Sequence, residues 1–71
     1  MNQLTINISK AVQIIMAQKK LSISDLKSRS GMRSLELSRI ISGNLEANNE
    51  QIGRIAASLD VSSEYLLMAN S

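Results

Sequence analysis

Ile8, Val12 and Ile15 recur at spacings of four and three, which predicts a helix with one buried stripe. Asn7 is placed to cap it, and it should run to about Lys19. The preceding MNQLTI has no such period and reads as either a short extended arm or a frayed helical turn. A second helix opens at Ser22-Ile23-Ser24-Asp25, where the Ser22 hydroxyl can accept from a free backbone N–H while the Asp25 carboxylate reaches back. It should stop near Ser30, because Gly31 can take the positive φ that ends a helix tightly.

A third helix is expected from Ser34 to Ser42, ended by Gly43 in the same way, with Leu37, Ile40 and Ile41 facing inward. Asn48 or Asn49 caps a fourth, whose core stripe is Ile52, Ile55, Ala56 and Leu59. Gly53 interrupts that helix at about 1 kcal/mol relative to Ala, which predicts that another helix approaches closely there. Ser62 caps a last short helix from Ser63 to about Ala69. Its run Tyr65-Leu66-Leu67-Met68 covers too much circumference for all four to be buried in one small core. The expected architecture is all-α: one domain over residues 1–71, with five helices and no sheet.

Composition narrows this further. Nine Ile and nine Leu supply the core, and Tyr65 is the only aromatic residue among 71. A chain of this size buries only about 60% of its unfolded surface, so its stability should be small. With neither His nor Cys, metal ligation and nucleophilic catalysis have little to work with. Glu46 and Glu50 straddle the loop before the fourth helix instead of sharing a cleft. No enzyme activity, cofactor or small-molecule ligand is expected. The longest apolar run, Ile14-Ile15-Met16-Ala17, is far too short for a bilayer, and no signal peptide is visible, so a cytoplasmic location without membrane association is expected.

The net charge of +2 hides a polarity. Lys19, Lys20, Lys27, Arg29, Arg33 and Arg39 outnumber Asp25 and Glu36 over residues 19–39, a net of +4. From residue 40 onward, Arg54 stands against Glu46, Glu50, Asp60 and Glu64, a net of −3. One basic face suits a polyanionic partner. That excess overlaps the second and third helices, two short helices joined through a glycine turn over about residues 22–42, which describe a helix-turn-helix.

On the outer side of the third helix lie Arg33, Ser34, Leu35, Ser38, Arg39 and Ser42. In a major groove, Arg can bond guanine bidentately, Ser can donate or accept, and an exposed Leu can touch a thymine methyl. These six are the candidate base-contacting residues. Lys27 and Arg29 read as surface charges.

The chain resembles the phage Cro and lambda-repressor-like DNA-binding domains over about residues 8–68. The resemblance rests on Leu21-Ser22, Leu26, Gly31-Met32, Leu37 with Ile40, the terminal Gly43, and Ile55-Ala56-Ala57-Ser58-Leu59-Asp60-Val61-Ser62. The departures are Ile23, where the family often has Gln, Lys27, where a small Ala is usual, and Ser30, where an apolar residue is common. The resemblance implies an all-helical, Cro-type repressor in a host bacterial cell, bound to double-stranded operator DNA as a homodimer that DNA helps to complete. It places Lys19, Ser22, Ser24 and Asn44 toward phosphate. Because Leu66 matches the family's inward position, Tyr65, Leu67 and Met68 are candidates for the dimer interface. The same fold also serves DNA-binding antitoxins and restriction-system controllers, and a helical protein-interaction module is the alternative from another class.

Overall fold

A computed structural model of the chain describes residues 4–70. It contains five helices: α1 (Ser9–Lys19), α2 (Ile23–Ser30), α3 (Ser34–Ser42), α4 (Asn49–Ser58) and α5 (Ser63–Ala69). Each bound follows from local chemistry. Ser22 and Asp25 form the reciprocal capping box at α2, with Ser22 N–H donating to Asp25 Oδ2 (2.9 Å) and Asp25 N–H to Ser22 Oγ (3.2 Å). The Asp25 carboxylate accepts from Ser22 N–H and also from Ser22 Oγ–H (3.0 Å); these two bonds stabilise its ionised form, so Asp25 titrates below its ordinary range. Because the folded pKa is depressed, the contribution is complete above the unfolded carboxylate value of about 3.9 and is lost as pH falls through the lower folded value.

Asn48 and Gln51 form a second box at α4, and Ser62 caps α5 through Tyr65 N–H. At α1 the boundary falls one residue later than the sequence suggests. Ile8 takes the cap position, while Asn7 Oδ1 still accepts the Ser9 N–H at 3.0 Å. Gly31 (φ 72°) and Gly43 (φ 86°) end α2 and α3 in the left-handed region. Lys20 (φ 56°) and Asp60 (φ 59°) make similar reversals after α1 and α4 without a glycine to announce them.

Residues 4–6 resolve the ambiguous N-terminal segment in favour of an extended arm. Ile6 and Ala47 exchange both backbone hydrogen bonds (2.9 and 2.7 Å), and Thr5 Oγ1 donates to Glu46 Oε1 at 2.7 Å. This isolated antiparallel bridge forms no named strand among the described residues. Residues 1–3 of that segment lie outside the described residues.

The core is one cluster. Val12 and Ile15 of α1, with Ile8 just before it, meet Leu37 and Ile40 of α3, Ile52 and Ile55 of α4 with Leu59 just after it, and Leu26 and Leu66 from the shorter helices. α1 packs on α3 and α5, α2 on α3 and α4, and α4 on α5. Helix α3 is therefore braced by α1 and α2 and leaves one side free. Ser58 is buried as well, which its polarity hid; its hydroxyl donates to Ile55 O at 2.6 Å, so the group is satisfied within its own helix.

Gly53 corrects the sequence expectation. A Cβ built there meets no atom within 4 Å, so no helix approaches closely and the residue carries only its entropic cost. Gly53→Ala should therefore raise stability by about 0.5–1 kcal/mol in chemical denaturation. A loss of stability would mean that the site is tighter than the backbone indicates.

Candidate nucleic-acid interface

α2 and α3 are joined by a short turn, residues 31–33, in which Gly31 supplies the positive φ and Met32 is buried beneath it. Ser30 Oγ accepts the Met32 N–H at 3.1 Å, which accounts for a polar residue at this half-buried position. Leu37, Ile40 and Ile41 anchor α3 from below. Arg33, Ser34, Leu35, Ser38, Arg39 and Ser42 are all exposed, so the structure gathers the six predicted base-contacting residues on the outer side of α3 and its start. Leu35 is 63% exposed, an unusual place for a large aliphatic side chain.

The six are not equivalent. Ser42 Oγ donates to Arg39 O and accepts from Asn44 Nδ2, both at 3.1 Å, so its hydroxyl serves the end of its own helix. Arg39 stands three residues beyond Glu36, but Glu36 Oε2 accepts from Gln51 Nε2 at 2.6 Å instead. The one ion pair among the described residues is Arg54–Glu50, at 3.3 Å, leaving the Arg39 guanidinium without an acidic partner there. Arg33 occupies the cap position of α3 with no side-chain capping bond.

The predicted phosphate-facing residues are less uniform. Ser24 is exposed, Ser22 is committed to the capping box, and Asn44 bonds to Ser42. Lys19 Nζ donates to Asp60 O at 3.3 Å. Of the surface charges, Lys27 is free of the core, and Arg29 Nη1 donates to Ser58 O at 3.4 Å, tying α2 to the end of α4. For the interface candidates on α5, Tyr65 is 50% and Met68 74% exposed, whereas Leu67 is half-buried against the core.

Sequence reasoning missed the residues that hold α3 in place. Gln13 Nε2 donates to Ile41 O at 2.7 Å, and Asn7 Nδ2 to Gly43 O at 3.3 Å, so α1 and its entry secure the far end of α3. At the near end, Gln51 Oε1 accepts the Asn48 N–H at 2.9 Å while its Nε2 holds Glu36. One side-chain amide thus caps α4 and ties it to α3. The sequence left this cap open between Asn48 and Asn49, and gave no sign of the tie to Glu36, which lies fifteen positions from Gln51.

Gln51→Glu tests this tie. Glu can still accept the Asn48 N–H, but it places a second carboxylate against Glu36. Stability should fall by about 1–2 kcal/mol, and pairing it with Glu36→Gln should restore most of the loss, read by denaturant melts. Equal stability of the single and paired variants would remove the tie from the account.

No protein-family model matches the chain, and no curated protein does. Among solved structures it is similar to the restriction-modification controller protein C.AhdI from Aeromonas hydrophila. The TM-score is 0.76 at 20% identity, over 86% of this chain and 92% of that one. At that identity the likeness establishes the fold: this chain is a five-helix, all-α protein with a helix-turn-helix formed by α2 and α3.

Proposed function

We propose that the protein is a sequence-specific DNA-binding transcriptional regulator whose α3 enters the major groove of operator DNA. The observation that carries this is the strip on α3, where a bare Leu35 and an acid-free Arg39 share a solvent-facing side with hydroxyls. A buried stripe alone would explain Leu37 and Ile40, but it would not favour Leu at a position of the same helix that is 63% exposed. A groove offers guanine N7 and O6 to Arg and a methyl surface to Leu. Arg33, Ser34, Leu35, Ser38 and Arg39 address bases. Ser42 lies at the edge of that set, with its hydroxyl exchanged between helix and DNA. Lys19, Ser24 and Asn44 address phosphate, and Ser22 contributes through the start of α2.

The finer reading is a Cro-type phage repressor. It acts in the cytoplasm of the bacterial host as a homodimer through Tyr65 and Met68, with Leu67 at the edge of the contact, and blocks polymerase by occupying the promoter. Cro-type dimers read half-sites about 34–36 Å apart. A second reading has specific support: the similar solved structure is a restriction-modification controller protein, which fits a regulator of a restriction system equally well. A restriction endonuclease reading frame beside this gene would favour that alternative.

Selection of bound sites from random duplex DNA, with binding titrated against salt, tests the proposal. A twofold-symmetric motif and a steep salt dependence are expected. Absence of salt-sensitive binding would leave a protein-interaction module instead. Within the same assay Lys19→Ala should reduce the slope of log K against log salt by about one and weaken all sequences alike. An unchanged slope would confine Lys19 to its bond with Asp60.

A further inference from the structure

Leu45 had no role in the sequence reading, yet it borders the strip on α3. Beyond Gly43 the chain turns back on itself. Asn44 N–H (2.8 Å) and Leu45 N–H (3.2 Å) both donate to Arg39 O, and Ser42 Oγ donates to the same carbonyl. One backbone oxygen therefore gathers three donors at the exit from α3. The result is an open cleft on the outer face, lined by Leu35, Leu45, Arg33, Arg39 and Glu36. Leu45 is 36% exposed and lies outside the core cluster, and part of its apolar surface lines this cleft.

Two aliphatic side chains from different elements thus flank a concavity bordered by two guanidinium groups. We infer that this cleft is a methyl-reading subsite: Leu35 and Leu45 receive the C5-methyl group of a pyrimidine, and Arg39 bonds the guanine beside it. The inference rests on the DNA-binding reading above and names the step that it reads. The shared chemistry is a C5-methylated pyrimidine next to guanine, supplied either by thymine or by 5-methylcytosine. The physical grounds are complementary. A methyl projecting into the major groove is the one apolar feature on a base-pair edge, and guanine N7 and O6 match the Arg fork. The cationic rim suits a site framed by phosphates. Glu36, the acid lining the cleft, has one oxygen held by Gln51, so it is drawn toward α4 and away from Arg39.

The test uses the full chain and a duplex recovered by site selection. Replacing each thymine in turn by deoxyuridine removes only the methyl group. One thymine per half-site, adjacent to a guanine, should lose about fourfold in affinity, the scale of one methyl group withdrawn from water. At that position, 5-methylcytosine should bind tighter than cytosine by a similar factor. The tighter of the thymine and 5-methylcytosine duplexes identifies the natural source.

Leu45→Ala, at a half-exposed position outside the core, should melt as the parent does and bind the thymine and deoxyuridine duplexes equally, with guanine selectivity intact. Retention of methyl discrimination in Leu45→Ala would overturn the two-walled subsite, as would selective binding indifferent to every methyl group. A change in oligomeric state in place of the methyl response would make Leu45 a subunit contact and overturn it too. In each of those cases selective binding survives. Only the absence of salt-sensitive duplex binding would remove the DNA-binding reading, and this inference with it.

Discussion

Leu37→Ala is expected to lower stability by about 2–5 kcal/mol, the largest loss of any substitution considered for this helix. Leu37 is fully buried on the inner side of α3, in the same cluster as Leu26, Ile40 and Ile55. Truncating a buried Leu costs about 2–5 kcal/mol through lost transfer energy and the cavity left behind. A domain of this size has a total stability of only about 4–11 kcal/mol at typical values per residue, and it has no disulfide to limit the unfolded state. One core truncation can therefore consume most of that margin.

Leu35→Ala is the internal control. It changes the same residue type two positions earlier on the same helix, but at 63% exposure, and should shift stability by no more than about 0.5 kcal/mol. Thermal melts by circular dichroism would separate the two. Leu37→Ala should melt well below the parent and lose binding as it unfolds, whereas Leu35→Ala should keep its melt and lose affinity. Equal melting losses would mean that the outer side of α3 is packed in solution, and the groove-facing assignment would fail.

Arg39→Ala should cost about 1–3 kcal/mol of operator binding and relax the preference at one base pair, without a change in melting temperature. The structure makes this substitution unusually clean. The part of Arg39 that helps hold the loop after α3 is its carbonyl, which accepts from Asn44, Leu45 and Ser42, and Ala presents the same carbonyl. No ion pair is lost among the described residues, since Glu36 bonds to Gln51. Arg39→Lys should recover little of the loss, because an ammonium cannot make the two parallel bonds of a guanidinium to guanine. Unchanged selectivity across operator variants, measured by competition at fixed salt, would take Arg39 out of base recognition.

The two expectations depend on opposite sides of one nine-residue helix, and that division was legible in the chain itself. Leu37, Ile40 and Ile41 follow the helical period, and the remaining positions of α3 are polar or basic apart from Leu35. Ser22 with Asp25, a cap at Asn48 or Asn49, Gly31 and Gly43 act over three or four residues, so their geometry is set almost entirely by local chain chemistry. Those signals determined five helices, their order, their ends to within a residue or two, and the helix that carries the basic outer strip.

What only the tertiary structure decided are relations between residues far apart in the chain. Gln51 reaches Glu36, Gln13 reaches Ile41, Asn70 Nδ2 donates to Asn7 O, and Ile6 pairs with Ala47, none of which leaves a periodic trace in the sequence. The open space beside Gly53 and the half-burial of Leu67 likewise depend on where neighbouring helices settle. Even Leu45, two residues beyond a helix-ending glycine that commonly brings a following apolar side chain back, could be placed beside Leu35 only once the reversal was seen. Local hydrogen bonding and hydrophobic period are properties of a few consecutive residues. The docking of one helix on another is a property of the whole core, and it determines which polar groups meet.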